Sequence, residues 1–137
     1  MFNYQIVIEY LGTNYVGWQI QKNGPSIQLI VQKALTKVLG SKIRINGSGR
    51  TDAGVHAKGQ SANFISNCEI TDKYKFLNSV NFFLKKKSIS IIKIKKKNIN
   101  FHARHSVKAK IYKYIILNRK TSSPIYDKRA WLVKNKL

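Results

Sequence analysis

Residues 4 to 10, YQIVIEY, alternate, with Tyr4, Ile6, Ile8 and Tyr10 on one side. That is the period-2 pattern of a strand with one buried face. The segment GTNYVGWQIQKNGP that follows residue 11 carries three glycines and a proline and reads as a loop. Ser26 is placed to cap a helix in which Ile27, Ile30, Val31, Ala34, Leu35, Val38 and Leu39 recur at helical spacing, and Gly40 stands where a left-handed residue would end it. KIRIN (42–46) alternates again, and QSANFIS (60–66) is extended through Ala62 and Phe64, so these two are expected to lie side by side. Thr71 or Asp72 can cap a second helix with an apolar face of Phe76, Leu77, Val80, Phe83 and Leu84. SISIIKIK (88–95) is then rich in β-branched residues.

The order β-α-β-β-α-β predicts an α+β fold of the ferredoxin-like kind, an antiparallel sheet with two helices on one face and the other face free for a ligand. Beyond residue 100, SVKAKIYKYIILN (106–118) is a long strand-like run, and RAWLV (130–134) reads as another strand, joined to it through a turn near Pro124. The expected organisation is a ferredoxin-like subdomain over 1–100 and the start of a second α/β subdomain over 101–137.

Composition adds a charge problem. The 137 residues hold 26 Lys+Arg against five Asp+Glu, a formal net charge of +21, yet 43% are hydrophobic and 11% aromatic. That hydrophobic content suits a packed domain rather than a disordered basic tail. So much like charge calls for an anionic partner, nucleic acid first. Part of the excess is solvated lysine, since Lys makes up most of the basic residues and forms runs at 85–87 and 95–97. Cys68 stands alone, so no intramolecular disulfide forms and a reducing compartment, the cytoplasm, is expected. No apolar stretch approaches the ~18 residues of a membrane span, and no membrane partner is expected.

Against that background, residues 47 to 60, GSGRTDAGVHAKGQ, place a rare carboxylate, Asp52, in a glycine-rich turn two residues after Arg50. The segment is neither a dinucleotide fingerprint, because Asp52 stands where the third glycine belongs, nor a P-loop, because the Lys-Ser/Thr pair is absent. A triad of Ser48, His56 and Asp52 lacks a nucleophile elbow, and His102 with His105 lacks a second pair of zinc ligands. Two readings remain on the residues alone. An ionised Asp52 kept charged by Arg50 can serve as nucleophile or base on an anionic polymer, or the two side chains can form an ion pair or Asx-turn that braces a hairpin.

The stretch GRTDAGVHAKGQ resembles the catalytic signature of the tRNA pseudouridine synthase A family. EYLGTNYVGWQIQ, SIQ at 26–28, FHAR at 101–104 and AKIYKY at 109–114 resemble further family motifs in the same order, so the likeness runs from residue 3 to about 118. The resemblance implies an isomerase that converts uridine to pseudouridine in the anticodon stem-loop of tRNA. Asp52 would be its nucleophile, and Arg50 would hold Asp52 and replace the extruded base in the RNA stack. Tyr112 would stack on the target uracil, and Arg104 would contact phosphate or the active-site loop. It also implies a reaction without a cofactor or metal, and a homodimer when full length. Trp18 and Gln19 are expected to support the site loop, His56 and His102 to act as hydrogen-bonding braces, and Tyr114 to belong to a core. His105 and Ile111 depart from the family, which often has an aromatic and a basic residue there. The chain stops at Leu137 where the family runs to about twice this length, so an N-terminal piece is expected. The competing class is a noncatalytic RNA-binding module on the same sheet.

Overall fold

The strand β1, Phe2–Tyr10, is the centre about which the first part of the protein is built. It pairs antiparallel with β3, Ala57–Ser66, on one side and with β4, Ile89–Lys97, on the other; β2, Ile45–Gly47, adds to the outer edge of β3, giving the order β2-β3-β1-β4. Helices α1, Ile27–Leu39, and α2, Lys73–Leu84, complete the ferredoxin-like α+β arrangement. The computed structural model describes all 137 residues, which divide into two units, Met1–Val107 and Lys108–Leu137.

Register explains the core. Tyr4 lies opposite Phe64, and Ile6 lies between Ala62 and Ile94, so the alternate residues of three strands share one face. Tyr4, Ile6, Ile8, Phe64 and Ile91 are buried there with Ile27, Val31 and Leu35 of α1 and Phe76, Val80 and Leu84 of α2. Each fully buried aliphatic or aromatic side chain is worth about 1.5–3 kcal/mol, so this layer is the main source of stability. Both helices start as the sequence predicts: the Ser26 hydroxyl accepts from Leu29 N–H at 3.2 Å, and Asp72, rather than Thr71, accepts from Lys75 N–H at 3.0 Å. Gly40 closes α1 in the left-handed conformation, φ 70°. Phe83 departs from expectation, lying at the rim of the core with the Lys37 ammonium 5.0 Å from its ring centroid.

The strand expected over 42–46 is shorter and later. Thr36 Oγ1 accepts from Ile43 N–H and Gln32 Oε1 from Ile45 N–H, both at 3.0 Å, so side chains of α1 take the place of a ladder. Gln28 Nε2 donates to the Ile45 carbonyl at 3.0 Å from the same helix. Ladder pairing with β3 is confined to Ile45, Asn46 and Gly47.

The opposite sheet face is polar and cationic: Asn3, Gln5 and Val7 of β1 register with Lys97, Lys95 and Lys93 of β4. One end of it is covered. Asn3 Nδ2 donates to the carbonyls of Asn98 and Phe101, Asn63 Nδ2 donates to Asn3 Oδ1, and Asn63 Oδ1 accepts from Ala103 N–H. This buried amide pair ties the turn after β4 to the two central strands.

In the second unit, β5, Ile116–Asn118, pairs parallel with β6, Trp131–Val133. The strand expected over 106–118 is therefore reduced to its last three residues, because only these find a ladder partner. Tyr114, expected in a core, is 90% exposed, since residues 108–115 build no sheet face against which to bury it. No helix of the protein is long and apolar enough to cross a membrane.

Candidate active site

Asp52 sits in the connection between β2 and β3, and its side chain is exposed. It opens a tight turn in which Val55 N–H donates to the Asp52 carbonyl at 3.1 Å and Gly54 adopts φ 80°. Arg50 shares this segment and is likewise exposed, but the two do not form an ion pair; the ion pair observed is Lys96–Glu69, at 2.6 Å. The Arg50–Asp52 ion pair, one of the two readings the residues leave open, is therefore not what holds the turn.

What fixes the turn is backbone contact with the loop after β1. Trp18 N–H donates to the Thr51 carbonyl at 3.1 Å, and Gly54 N–H donates to the Tyr15 carbonyl at 3.3 Å. Two glycines make this approach possible. A Cβ on Gly12 would stand 2.0 Å from the Val55 carbonyl oxygen, and one on Gly17, already at φ 107°, would stand 2.4 Å from that of Thr51. Sequence reasoning read these glycines only as loop punctuation. Their spacing ahead of a second glycine-rich turn is the signal that two backbones meet.

Side chains complete the clamp. His56 Nδ1 accepts from Gly12 N–H at 2.9 Å, so His56 is a brace, with its proton on Nε2 when neutral. Trp18 is buried with its indole against Gly47, where a Cβ would come within 2.6 Å of the ring. Gln60 Nε2 donates to the Gly49 carbonyl, and Ser48, itself buried, donates through its N–H to Ser61. Tyr10 and Thr51 share a hydroxyl–hydroxyl hydrogen bond of 2.9 Å. Burial raises the Tyr10 phenol above its ordinary value of 10.0, an effect that this bond partly offsets, so the hydroxyl stays protonated at neutral pH. Burial raises Tyr15 in the same direction.

Arg104 stands exposed on the turn that the Asn3–Asn63 pair anchors, and His102 Nδ1 accepts from Arg104 N–H at 3.2 Å. The His102 and His105 rings lie 4.5 Å apart, so His102 too acts as a local brace. Tyr112 belongs to the second unit, where it is 68% exposed. The first unit therefore presents an accessible carboxylate on a rigid turn, with Arg50 beside it in sequence and a second, separately anchored arginine. A carboxylate so held can act as a nucleophile or base on a ligand docked at that surface without first being reordered.

Comparison with known proteins bears on which ligand. The family profile described as tRNA pseudouridine synthase matches residues 6–106. A tRNA pseudouridine synthase A of Pelagibacter ubique (strain HTCC1062) is 53% identical over 137 residues, all of this chain and 56% of the relative. Those of Thermoanaerobacter sp. (strain X514) and Ehrlichia ruminantium (strain Gardel) are 47% and 43% identical over 96% and 98% of this chain, and 53% and 54% of their own lengths. The chain thus spans about half the length of the curated relatives it matches. With the GRTDAG turn inside the matched region and the ferredoxin-like sheet beneath it, the chain belongs to the tRNA pseudouridine synthase family.

Proposed function

We propose that this chain carries the nucleophile of a tRNA pseudouridine synthase, an isomerase acting on uridine in the anticodon stem-loop of tRNA, with Asp52 as the reacting carboxylate. The observation that carries the reading is an exposed Asp52 on a turn clamped by Gly12, Gly17 and His56, in a protein of net charge +21. The field concentrates polyanion at the surface, and the fixed turn supplies a single acidic group to it.

The reaction needs little more. The carboxylate bonds to C6 of the uracil or C1′ of the ribose, the N1–C1′ bond breaks, the base turns in its pocket, and a C5–C1′ bond forms. The proton lost from C5 is balanced by one gained at N1, and the enzyme–substrate bond is released, so substrate and product are isomers. No water, oxidant or metal enters the balance. Reaching the uridine requires extrusion from the stack, which costs a few kcal/mol, and Tyr112 stacking on the freed base returns about 1–3 kcal/mol. Arg50 fills the vacated place in the RNA stack, and Arg104 engages phosphate or the site loop. Two copies forming a homodimer and a cytoplasmic setting complete the reading, and the lone free Cys68 suits a reducing compartment.

The test uses tRNA labelled with tritium at uridine C5, whose loss to solvent reports the reaction. It is run on this chain and on a chimera extended by the remaining portion of the Pelagibacter relative. Release with wild type and none with Asp52→Ala is expected. Release that survives the substitution would falsify the assignment of Asp52.

A further inference from the structure

We propose that the cleft between the Leu11–Tyr15 loop and the turn that ends α2 is a binding site for a backbone phosphodiester of the RNA, and that it sets the register of the substrate on the Asp52 turn. The cavity measures about 280 Å³, and Thr13, Asn14, Tyr15, Lys86, Lys87 and Ser88 are among the residues that line it. It is large enough for a phosphate with part of its ribose. No carboxylate lines it. Two lysine ammonium groups supply charge, while the Thr13 hydroxyl and the Asn14 amide supply neutral donors, a set suited to an anion with several oxygen acceptors.

The cleft is built rather than incidental. Leu11 N–H donates to the Ser88 carbonyl at 3.0 Å, the Tyr15 hydroxyl donates to the Lys87 carbonyl, and Lys87 N–H donates to Leu84 at 2.9 Å. Ser88 holds a left-handed φ of 58° to make the corner, an uncommon conformation for a residue with a side chain. The lysine turn and the loop are thus bonded together, although residues 15 and 87 lie far apart in sequence.

The same loop touches the catalytic turn from its other side. Gly12 meets the Val55 carbonyl and donates its N–H to His56 Nδ1, and the Tyr15 carbonyl accepts from Gly54 N–H. A phosphate held by Thr13, Asn14, Lys86 and Lys87 is therefore coupled through a few rigid residues to Asp52. These four are positioning residues, and the proposal rests on the tRNA reading given above.

The test compares Lys86→Gln/Lys87→Gln and Thr13→Val/Asn14→Ala with a charge-matched control, Lys33→Gln/Lys37→Gln on α1, in binding of an RNA hairpin to this chain across a salt series. We expect the lysine pair to lose at least about tenfold in affinity and to reduce the slope of log K against log[salt] by about 1–2. The uncharged pair should lose about threefold at unchanged slope, and the control less than about threefold. In turnover by the chimera the lysine pair should raise KM and also lower kcat by at least about threefold, because a slipped register misplaces the uridine against Asp52. A rise in KM with kcat unchanged would overturn the positioning role. Equal losses for the lysine and control pairs would show only the general field and would overturn the site. So would stronger retention of poly-glutamate or of phosphatidylserine vesicles than of RNA at the cleft. Wild type that binds RNA with the expected lysine dependence but releases no tritium would instead sink the enzymatic reading and leave the cleft standing.

Discussion

Around Asp52, backbone groups on both sides of the turn are engaged: Thr51 by Trp18, Gly54 by Tyr15, and Gly12 by His56. Around Tyr112 the chain from Lys108 to Ile115 joins no ladder, and Tyr112, Tyr114 and Ile111 are exposed at 68%, 90% and 87%. Both segments belong to the sequence likeness, and both carry a residue assigned to the substrate. The contrast teaches that the two segments are held differently: backbone bonds fix the turn bearing Asp52 before any ligand arrives, whereas the run bearing Tyr112 joins no ladder.

The largest effect expected is on the fixed side. Asp52→Ala should lower tritium release by about 10⁴-fold or more while shifting stability by no more than about 0.5 kcal/mol, because the side chain is exposed and makes no ion pair. A comparable loss from a change in the 108–115 run other than Tyr112 would break the contrast. Next, Gly12→Ala should cost about 2–4 kcal/mol in urea denaturation, because a carbonyl oxygen occupies the place of the new methyl group. Gly40→Ala, where φ is 70° but nothing lies within 4 Å, should cost only about 1–2 kcal/mol. Equal costs would mean that the clamp yields.

In the 108–115 run, Tyr112→Ala should reduce kcat/KM by about 5- to 150-fold, the range that ~1–3 kcal/mol of stacking allows. Tyr112→Phe should retain most of the activity, and neither should move the urea midpoint appreciably. A loss in Phe equal to that in Ala would point to the hydroxyl instead of the ring. The smallest effect concerns pH. The Tyr10 and Tyr15 phenols titrate above 10.0 in the folded protein, so the stability they confer is complete below pH 10 and is lost as pH rises through their folded values. Tyr10→Phe should cost about 0.5–1.5 kcal/mol at pH 7 through the lost bond to Thr51. It should also make the alkaline decline shallower, which a pH series of urea melts would show.

How much of this was legible in the residues follows from how local each signal is. The caps Ser26 and Asp72 and the period of α1 are set by neighbours within a few positions, and these elements form as read. An antiparallel sheet with one buried face could be inferred from the alternation and the β-α-β-β-α-β succession, whereas the order β2-β3-β1-β4 rests on pairing that alternation does not specify. The shortened β2 was not legible, since it depends on Gln32 and Thr36 reaching from a helix to donors that composition would give to a ladder. Nor was the glycine clamp, which requires knowing that residues 12 and 55 meet. The Asn3–Asn63 pair was available in principle: asparagine is disfavoured in strands, so two of them on the same face of adjacent strands mark a purpose.

The central place of β1 bears on how the protein emerges during synthesis. Its partners span residues 57–66 and 89–97, so β1 must wait for β4 before both of its edges are matched. At about 5–20 residues per second, that delay is on the order of 5–20 s. Over that interval one edge of β1 stays unpaired. Proteolysis of stalled nascent chains should show protection only once Lys97 has cleared the exit tunnel, and protection of shorter chains would mean that α1 shelters the strand earlier.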